Sequence, residues 1–398
     1  MAGRCSLQYL LFTVVTTLLM LLSSTPPSTA RRIPSKGVRG AYWPSWRRQS
    51  FPPSSIDPSL FTHVFYAFVL PDPSSYHLVI TPNDDRDLPV FTATLHDHKP
   101  PLQALLSIGG GNDRATAAFS RMASDPSTRS AFINSSIAVA RRYGLDGLDL
   151  DWESPADTKQ MGDFASLIRE WRAAVEQDAR RSRRPRLLLT SAVYFAAHFF
   201  SYGAARSFPT AALRDAVDFV NVMCYDYRGS WDTSTTGAHA ALYDPNSNFS
   251  TSYGIGSWLA AGMPREKVVM GLPLYGKSWT LRDPAGHGIG APAVGTGPGD
   301  DGILTYSEVV DQNAASGATE VYDGATVSTY SYAGRVWVGY DDPRSAAAKV
   351  EYARGLHLGG YFFWALSYDK DWSISRADSS AARGGIFAIH AMVGLFKM

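Results

Sequence analysis

The sequence predicts a (β/α)8 barrel that carries a small α+β insertion between its seventh and eighth strands. Eight short runs of apolar, β-branched or aromatic residues alternate with amphipathic helical stretches, which is the pattern of a parallel barrel. The chain has 398 residues, of which 45% are hydrophobic and 18% charged, as in a globular protein with a large core. The eight strands are predicted at residues 38–43, 62–68, 103–108, 147–151, 187–192, 219–223, 268–271 and 360–364.

The helices between these strands are predicted from apolar residues at helical spacing. In the stretch 158–180, for example, Phe164, Ile168 and Trp171 fall on one face. The longer stretch 115–143 contains an Asp-Pro pair, and proline cannot continue a helix from the preceding turn. We therefore expect two helices there instead of one.

The insertion is predicted from the long interval before the last strand. About 90 residues separate the seventh and eighth strands, where one helix would need far fewer. Runs at 319–322, 326–332 and 335–340 alternate as strands do and are separated by turn signals. We place an α+β subdomain at 280–345, followed by a helix near 345–354.

Both ends of the chain differ from the barrel. Residues 1–30 have an early arginine, an apolar run of about 13 residues and a small-residue cleavage site, as in a signal peptide. An uncleaved anchor is the alternative, but a span needs about 20 apolar residues. We expect a secreted protein without a transmembrane anchor after cleavage, a folded domain at 31–383, and a short tail at 384–398 that either directs the chain to the vacuole or packs on the barrel.

The charge balance excludes one class of partner. There are 37 basic and 36 acidic side chains, so the chain has no electrostatic footprint for nucleic acid. Ten Trp and twenty Tyr fit either a large core or the flat faces of sugars. No P-loop, dinucleotide fingerprint or Cys/His cluster is present in the sequence, so we expect neither a cofactor nor a metal ion.

Three carboxylates follow one another at every second position of the fourth predicted strand. Asp149, Asp151 and Glu153 therefore project from one face, towards the rim where barrel enzymes keep their active sites. Such crowding keeps at least one acid protonated near neutral pH, and a protonated Glu at the rim is a general acid. A Ca²⁺ site is an alternative, but the turn-forming loop is missing. A purely structural ion network would lack any interleaved Arg or Lys.

The segment 146–153, which contains these acids, resembles the D-G-x-D-x-D-W-E signature of family 18 glycoside hydrolases, the chitinases. The resemblance extends to Ser107-Ile108-Gly109-Gly110, to Met223-Cys224-Tyr225-Asp226, to the segment from Gly271 through Trp279, and to the last strand. The insertion and the local sequences around Tyr42 and Tyr340 resemble those of the plant class V subgroup.

The resemblance implies a substrate-assisted mechanism on chitin or chito-oligosaccharides. Glu153 would protonate the glycosidic oxygen, Asp151 would orient the acetamide of the sugar, and Asp149 would share a proton beneath it. Tyr225 would position the acetamide carbonyl. The remaining predicted binding residues are Asp226, which would hold the sugar, Trp364 as its floor, Met223, Tyr42 and Phe68 around the pocket, Ser107 beside Asp149, and Trp279 as an extra platform in the insertion.

Other functions remain open on this barrel. A catalytically silent chitin-binding lectin or receptor-like protein has the same fold, although such relatives commonly lose the acid or its Asp partner. An endoglycosidase acting on N-glycans or lipochitooligosaccharides would share the catalytic strand. We expect an endo-acting monomer, with N-x-Ser sequons at Asn134 and Asn248.

Overall fold

The computed structural model describes residues 37–111, 113–201 and 204–382. The predicted signal peptide at 1–30 and the tail at 384–398 lie outside these described residues. Within the described ranges, none of the helices combines the length and apolar character needed to cross a membrane.

The strands of this part of the chain are numbered in chain order. They are β1 (Val38–Pro44), β2 (His63–Pro71), β3 (Leu78–Val79), β4 (Gln103–Gly109), β5 (Gly147–Asp151), β6 (Leu188–Tyr194), β7 (His198–Ser201), β8 (Ala204–Ser207), β9 (Phe219–Met223), β10 (Val268–Pro273), β11 (Tyr275–Leu281), β12 (Ala293–Thr296), β13 (Ile303–Thr305), β14 (Thr319–Asp323), β15 (Ser328–Ala333), β16 (Val336–Tyr340) and β17 (Gly360–Trp364).

Eight of these strands form a closed parallel barrel. Their order is β1-β17-β10-β9-β6-β5-β4-β2, and β1 pairs with β2 to close the ring. Each barrel strand coincides with one of the eight predicted apolar runs, because strands that are covered on both faces read as nearly continuous apolar segments. The predicted barrel is confirmed. β3 adds an antiparallel edge at the end of β2, and β7 pairs with β8 in a separate two-stranded antiparallel sheet.

The helices lie between the strands, and several of them begin at side-chain caps. Asp125 caps the helix at Pro126–Arg142, and so the predicted break between two helices is present. Asp157 caps the long helix at Thr158–Ser182, which buries the predicted apolar face. The α-helices are Pro82–His96, Asp113–Ala123, Pro126–Arg142, Thr158–Ser182, Thr210–Ala216, Thr251–Ala260, Tyr306–Ser316, Pro343–Gly355 and Ser373–Ala382, with short 3₁₀ helices at Ser45–Arg47, Pro53–Ser55, Arg265–Lys267 and Leu366–Tyr368.

The insertion between β10 and β17 is a second, antiparallel sheet. Its order is β12-β11-β16-β15-β14, with β13 also pairing with β11. β11 begins only one residue after β10 ends, so the barrel chain leads directly into this sheet. Trp279, Trp337 and Tyr330 form the centre of a separate small core within the sheet. The α+β character that the sequence predicted for this interval is confirmed.

A buried ion pair joins the end of the insertion to the barrel. Lys349, on the helix Pro343–Gly355, lies 2.5 Å from Oδ2 of Asp341, which directly follows β16. The same ammonium group donates to the carbonyl of Ala240, in the loop that follows β9. Both charged side chains are 1% exposed, so each depends on the other for compensation of its charge.

The substitution Lys349→Met tests this dependence. We expect the free energy of unfolding to fall by about 3–5 kcal/mol, because the change leaves the Asp341 carboxylate buried without its cation. Urea denaturation followed by tryptophan fluorescence measures the difference. The matched control is Lys370→Met, which breaks the exposed pair with Asp311 and is expected to change stability little. A Lys349→Met protein as stable as the parent would contradict the structural role.

Candidate active site

The carboxyl ends of the barrel strands surround a cavity of about 330 Å³. This is the end of the barrel towards which the acids of β5 were predicted to point. Eight of the predicted site residues line it, and five further residues complete its wall. The predicted ones are Tyr42, Phe68, Asp151, Glu153, Met223, Tyr225, Asp226 and Trp364, and the others are Gly111, Ala192, Tyr194, Tyr275 and Phe362.

Asp149 lies below the cavity and is fully buried. The register of the barrel sets Ser107 of β4 and Thr190 of β6 on either side of it. Ser107 and Tyr42 donate hydrogen bonds to Oδ2 of Asp149 at 2.8 and 2.9 Å, and Thr190 donates to Oδ1 at 2.6 Å. Asn221 in turn donates to the Tyr42 hydroxyl at 2.9 Å. Burial raises the pKa of Asp149, and the three hydroxyl donors oppose that shift.

Asp151 and Glu153 form a hydrogen-bonded pair above Asp149. Burial and the charges of Glu153 and Asp149 raise the pKa of Asp151 well above its ordinary value. The Glu153 side chain reaches the solvent of the cleft, but the cavity walls displace most of its water. That desolvation, partly offset by the bond from Asp151 and reinforced by the charge of Asp226, raises the pKa of Glu153 to about 7. The pair therefore retains a proton near neutral pH.

One oxygen of this pair is left for a ligand. Oδ1 of Asp151 is buried, and among the described residues it has no hydrogen-bond partner. A buried carboxylate oxygen without a donor is costly, and at a functional site such an atom marks the place of a group that is absent. The orphaned oxygen is an acceptor, so it calls for a ligand with an N–H or O–H group.

Two glycines at the end of β4 allow the neighbouring strands to approach the acids closely. Both have positive φ, +126° at Gly109 and +95° at Gly110. A Cβ at Gly109 would lie 2.0 Å from the carbonyl oxygen of Asp151, and one at Gly110 would lie 2.6 Å from the Phe68 ring. Only glycine satisfies both the conformation and the space at these positions.

Asp226 faces the acid pair from the loop after β9. Tyr275 donates to its Oδ1 at 2.8 Å, and Lys277 Nζ lies 3.4 Å from the same oxygen. His239 Nδ1 lies 3.7 Å from that oxygen as well. Desolvation alone would raise the pKa of Asp226, but His239, Lys277 and Tyr275 outweigh it and hold the pKa below its ordinary value. At neutral pH Asp226 is therefore ionised, whereas the pair of Asp151 and Glu153 still retains a proton.

Aromatic rings form another wall of the cavity. Phe68 stacks on Trp364, with centroids 5.5 Å apart and planes 19° apart. Trp46, which is 50% exposed, extends this surface outwards, with its centroid 6.2 Å from each of the other two rings. Tyr42 packs against the edge of Trp364 from below. The surface offers flat apolar faces of the kind on which sugar rings stack.

The structure does not place Trp279 in the cleft. Its side chain is 1% exposed, packs against Trp337 in the core of the insertion, and donates from Nε1 to the carbonyl of Asp232 at 2.9 Å. No face of the ring is free to contact a sugar, so the predicted platform at Trp279 is wrong. Along β11 it is Tyr275 that lines the cavity, four residues earlier.

Several residues of the site were missed by the sequence reasoning. Thr190 and Asn221 are neutral polar residues inside apolar strands, and only the register reveals that they face the acids. Lys277 could have been found from the sequence, because it is a lone lysine within an otherwise uncharged motif segment, and a buried lysine requires an acidic or polar partner. Trp46 lies just beyond the first predicted strand, in a short 3₁₀ turn.

Comparison with known proteins matches residues 39–369 to the family model of glycosyl hydrolases family 18. The chain belongs to this family. Its resemblance to the plant class V chitinases is confirmed by the relatives. The class V chitinase CHIT5 of Lotus japonicus is 51% identical over 89% of this chain and 89% of its own length. The Nod factor hydrolase protein 1 of Medicago truncatula is 50% identical, over 86% of this chain and 89% of its own length.

A solved structure of the same family has the same fold. The crystal structure of a family GH18 chitinase from Cycas revoluta in complex with allosamidin aligns with a TM-score of 0.83 and 45% identity. The alignment covers 86% of this chain and 99% of that chain. The family assignment therefore rests on the sequence, on the motif strands and on the whole barrel with its insertion.

The substitution Lys277→Met tests the electrostatic coupling across the cavity. The Asp226 charge already raises the pKa of Glu153, and Lys277 partly neutralises that charge. Without the cation, we expect the pKa of Glu153 to rise further, so that the hydrolytic activity proposed below is lost at a pH higher by about half a unit or more. The measurement is the pH profile of kcat/KM on a chito-oligosaccharide.

Lys277→Arg is the matched control, because it keeps a positive charge beside Asp226 and is expected to leave the alkaline limb in place. A drop in rate without displacement of the limb would assign Lys277 a packing role against Trp231 and Tyr275, whose rings its ammonium group also contacts.

Proposed function

We propose that the protein is an endo-acting chitinase that hydrolyses β-1,4 linkages between N-acetylglucosamine units with retention of configuration. The observation that carries this proposal is the pairing of Glu153, which can hold a proton near pH 7, with a buried Asp151 oxygen that no described residue satisfies. The first group supplies a general acid, and the second supplies an acceptor for the N–H of an acetamido sugar.

The arrangement of carboxylates supports a mechanism without a protein nucleophile. In ordinary retaining glycosidases the acid and the nucleophile lie about 5 Å apart, on either side of the bond that breaks. Asp151 is hydrogen-bonded directly to Glu153 and so leaves no room for the anomeric carbon between them. Asp226 is already engaged by Tyr275 and Lys277. The sugar's own acetamide is then the available nucleophile.

In the first step, Glu153 donates its proton to the glycosidic oxygen as the C1–O bond breaks. The acetamide carbonyl oxygen of the same sugar attacks C1 and forms a cyclic oxazolinium ion. Asp151 accepts the hydrogen bond of the acetamide N–H and balances the positive charge that develops there. Tyr225, on the cavity wall, is placed to donate to the acetamide carbonyl and hold it below C1.

In the second step, the Glu153 carboxylate takes a proton from water while the water oxygen bonds to C1. The C1–O bond to the acetamide breaks and its electron pair returns to the amide. Glu153 recovers its proton, and the product is the β-anomer. During the cycle Asp149 stays beneath the pair and shares a proton with it, held by its three hydroxyl donors.

This mechanism limits the substrate to sugars that carry an acetamido group beside the scissile bond. Chitin and chito-oligosaccharides meet that condition, and the aromatic wall of Phe68, Trp364 and Trp46 supports a succession of sugar rings. Cellulose and starch lack the internal nucleophile and are excluded.

A lipochitooligosaccharide is a second candidate substrate. The observation that favours it is the 50% identity to a relative named as a Nod factor hydrolase. Such a substrate presents the same acetamido sugars to the cavity and differs in its acyl substituent. Its hydrolysis, measured beside that of an unmodified oligosaccharide of equal length, would decide between the two substrates.

Secretion belongs to the same proposal and rests on residues 1–30 alone. An extracellular or vacuolar location would bring the enzyme into contact with chitin from outside the cell. The choice between these locations depends on the tail at 384–398, and the location of a fluorescent fusion with and without that tail would test it.

Hydrolysis of chitin hexasaccharide by the mature chain tests the catalytic proposal. We expect shorter β-anomeric products from internal cleavage, and a loss of about 10³-fold or more in kcat for Glu153→Gln, since the amide has no proton to donate. Asp151→Asn should also lower kcat strongly, because it removes the charge that balances the oxazolinium ion. Products are resolved by mass and by anomeric form.

Two controls make this test specific. Glu176→Gln makes the same chemical change on the exposed face of a helix and should leave the rate unchanged. Glucosamine hexasaccharide, which has no acetamide, should not be cleaved. Binding of the chitin oligosaccharide without cleavage by the parent protein would favour the lectin alternative.

A further inference from the structure

An exposed group of aromatic side chains lies outside the catalytic cavity. Tyr243, Phe249 and Tyr253, here called the aromatic shelf, are 42%, 43% and 41% exposed. The backbone N–H of Ser252 donates to the carbonyl of Leu242, so that Tyr243 and Tyr253 flank one hydrogen bond. Single exposed apolar residues need no explanation, but three exposed rings close together in the chain, two on a loop and one in the first turn of the helix that follows, offer apolar surface that a ligand can cover.

The loop that carries Tyr243 and Phe249 is held by its own side chains. Asp244 accepts hydrogen bonds from the backbone of Asn246 and from the Ser247 hydroxyl, and Ser247 accepts one from the backbone of Phe249. This arrangement leaves Asn248 exposed between Ser247 and Phe249.

The next residues complete an acceptor sequence for a glycan. Asn248, Phe249 and Ser250 form an N-x-Ser sequon, and Ser250 begins the helix at Thr251–Ala260 as its cap. The acceptor asparagine therefore directly precedes the exposed Phe249 ring. Phe249 is held in place by Phe195, with centroids 5.9 Å apart, and by Arg228, whose guanidinium lies 5.8 Å from its centroid.

We propose that Asn248 carries an N-linked glycan whose first sugars lie on the aromatic shelf. The apolar faces of sugar rings pack on exposed aromatic rings, so the glycan supplies the cover that the fold leaves missing. The occupant is covalent, and its attachment point is adjacent to the surface it covers.

Transfer of the glycan to Asn248 requires a lipid-linked diphospho-oligosaccharide as the sugar donor, and the secretory route provides this donor. The Asn248 amide nitrogen bonds to C1 of the first sugar as the bond from C1 to the phosphate oxygen breaks. The electron pair of that bond leaves with the lipid diphosphate, and the amide proton is released. No oxidation or reduction takes place.

Asn134 provides an internal comparison. Its sequon lies in the middle of the helix Pro126–Arg142, where its amide donates to Ser130 and the Ser136 hydroxyl is buried against the carbonyl of Ile133. Its middle residue, Ser135, accepts the backbone N–H of Leu78. The residue that follows Asn134 is thus a serine engaged in a hydrogen bond, whereas the residue that follows Asn248 is an exposed phenylalanine. The Asn134 sequon itself contains no aromatic ring on which a glycan could lie.

The shelf is close to the cleft but outside it. Phe195, on which Phe249 packs, is adjacent in sequence and ring contact to Tyr194, which lines the catalytic cavity. A glycan at Asn248 would thus lie at the outer rim and leave the acids free. Hydrolysis of short oligosaccharides should not depend on it, so the glycan proposal rests on the proposed secretion but not on the proposed catalysis.

The test is expression of the full chain, with its own N-terminal segment, in a eukaryotic secretory host. Site-specific peptide mass spectrometry, before and after enzymatic deglycosylation in water enriched in oxygen-18, locates any glycan. We expect a glycan on Asn248, its loss in Asn248→Gln, and its retention in Asn134→Gln and in Ser250→Thr, which keeps both the sequon and the capping hydroxyl.

A second measurement addresses the shelf itself. The Asn248→Gln protein should bind more of a fluorescent hydrophobic dye than the parent, and the excess should disappear when Phe249 and Tyr253 are also changed to Ser. An unmodified Asn248 in the recovered chain, or failure of the chain to enter the secretory route, would overturn the proposal. Equal dye binding by the parent and Asn248→Gln would show that the glycan does not cover the shelf.

Discussion

The burial of two carboxylates, Asp149 and Asp151, on one short strand that leads to Glu153 is the constraint on which the rest of the site depends. β5 has no basic residue of its own, so every charge on it must be compensated from other strands. Asp149 is compensated by neutral donors from three strands, Tyr42, Ser107 and Thr190. These donors favour the ionised form of Asp149 against the effect of burial, and the neighbouring acids are held too close together to ionise fully. The proton that the proposed mechanism needs is thus a consequence of where these carboxylates are buried.

The cations of the site are kept at a distance from the acid pair. Lys277 contacts Asp226 and not Glu153, so it compensates one carboxylate while the pKa of the other stays raised. A lysine placed directly beside Glu153 would favour the ionised form and remove the proposed general acid. Asp226 therefore lies between the cation and the acid pair. Its charge raises the pKa of Glu153, and its own ionised form is favoured by His239, Lys277 and Tyr275.

Sequence alone predicted the barrel, the α+β insertion and most of the cavity wall, because those features follow from periodicity and from specific motifs. Alternation along β5 was enough to place Asp149, Asp151 and Glu153 on one face. Thr190 and Asn221 could not be found in this way, since their role depends on the register between strands distant in sequence. Trp279 failed for a related reason: a motif specifies that an aromatic residue is present, but only the packing of β11 against β16 decides which way it faces.

The insertion is tied to the active site at both of its ends. At its start, Lys277 of β11 reaches Asp226 in the loop that follows β9. At its end, Lys349 joins Asp341 to the carbonyl of Ala240 in that same loop. Between these points Trp279 donates to the loop as well. The loop that presents Asp226 to the catalytic pair is therefore held by the insertion over most of its length. It follows that the insertion positions a charged wall of the cavity and is more than a side wall added to a complete barrel.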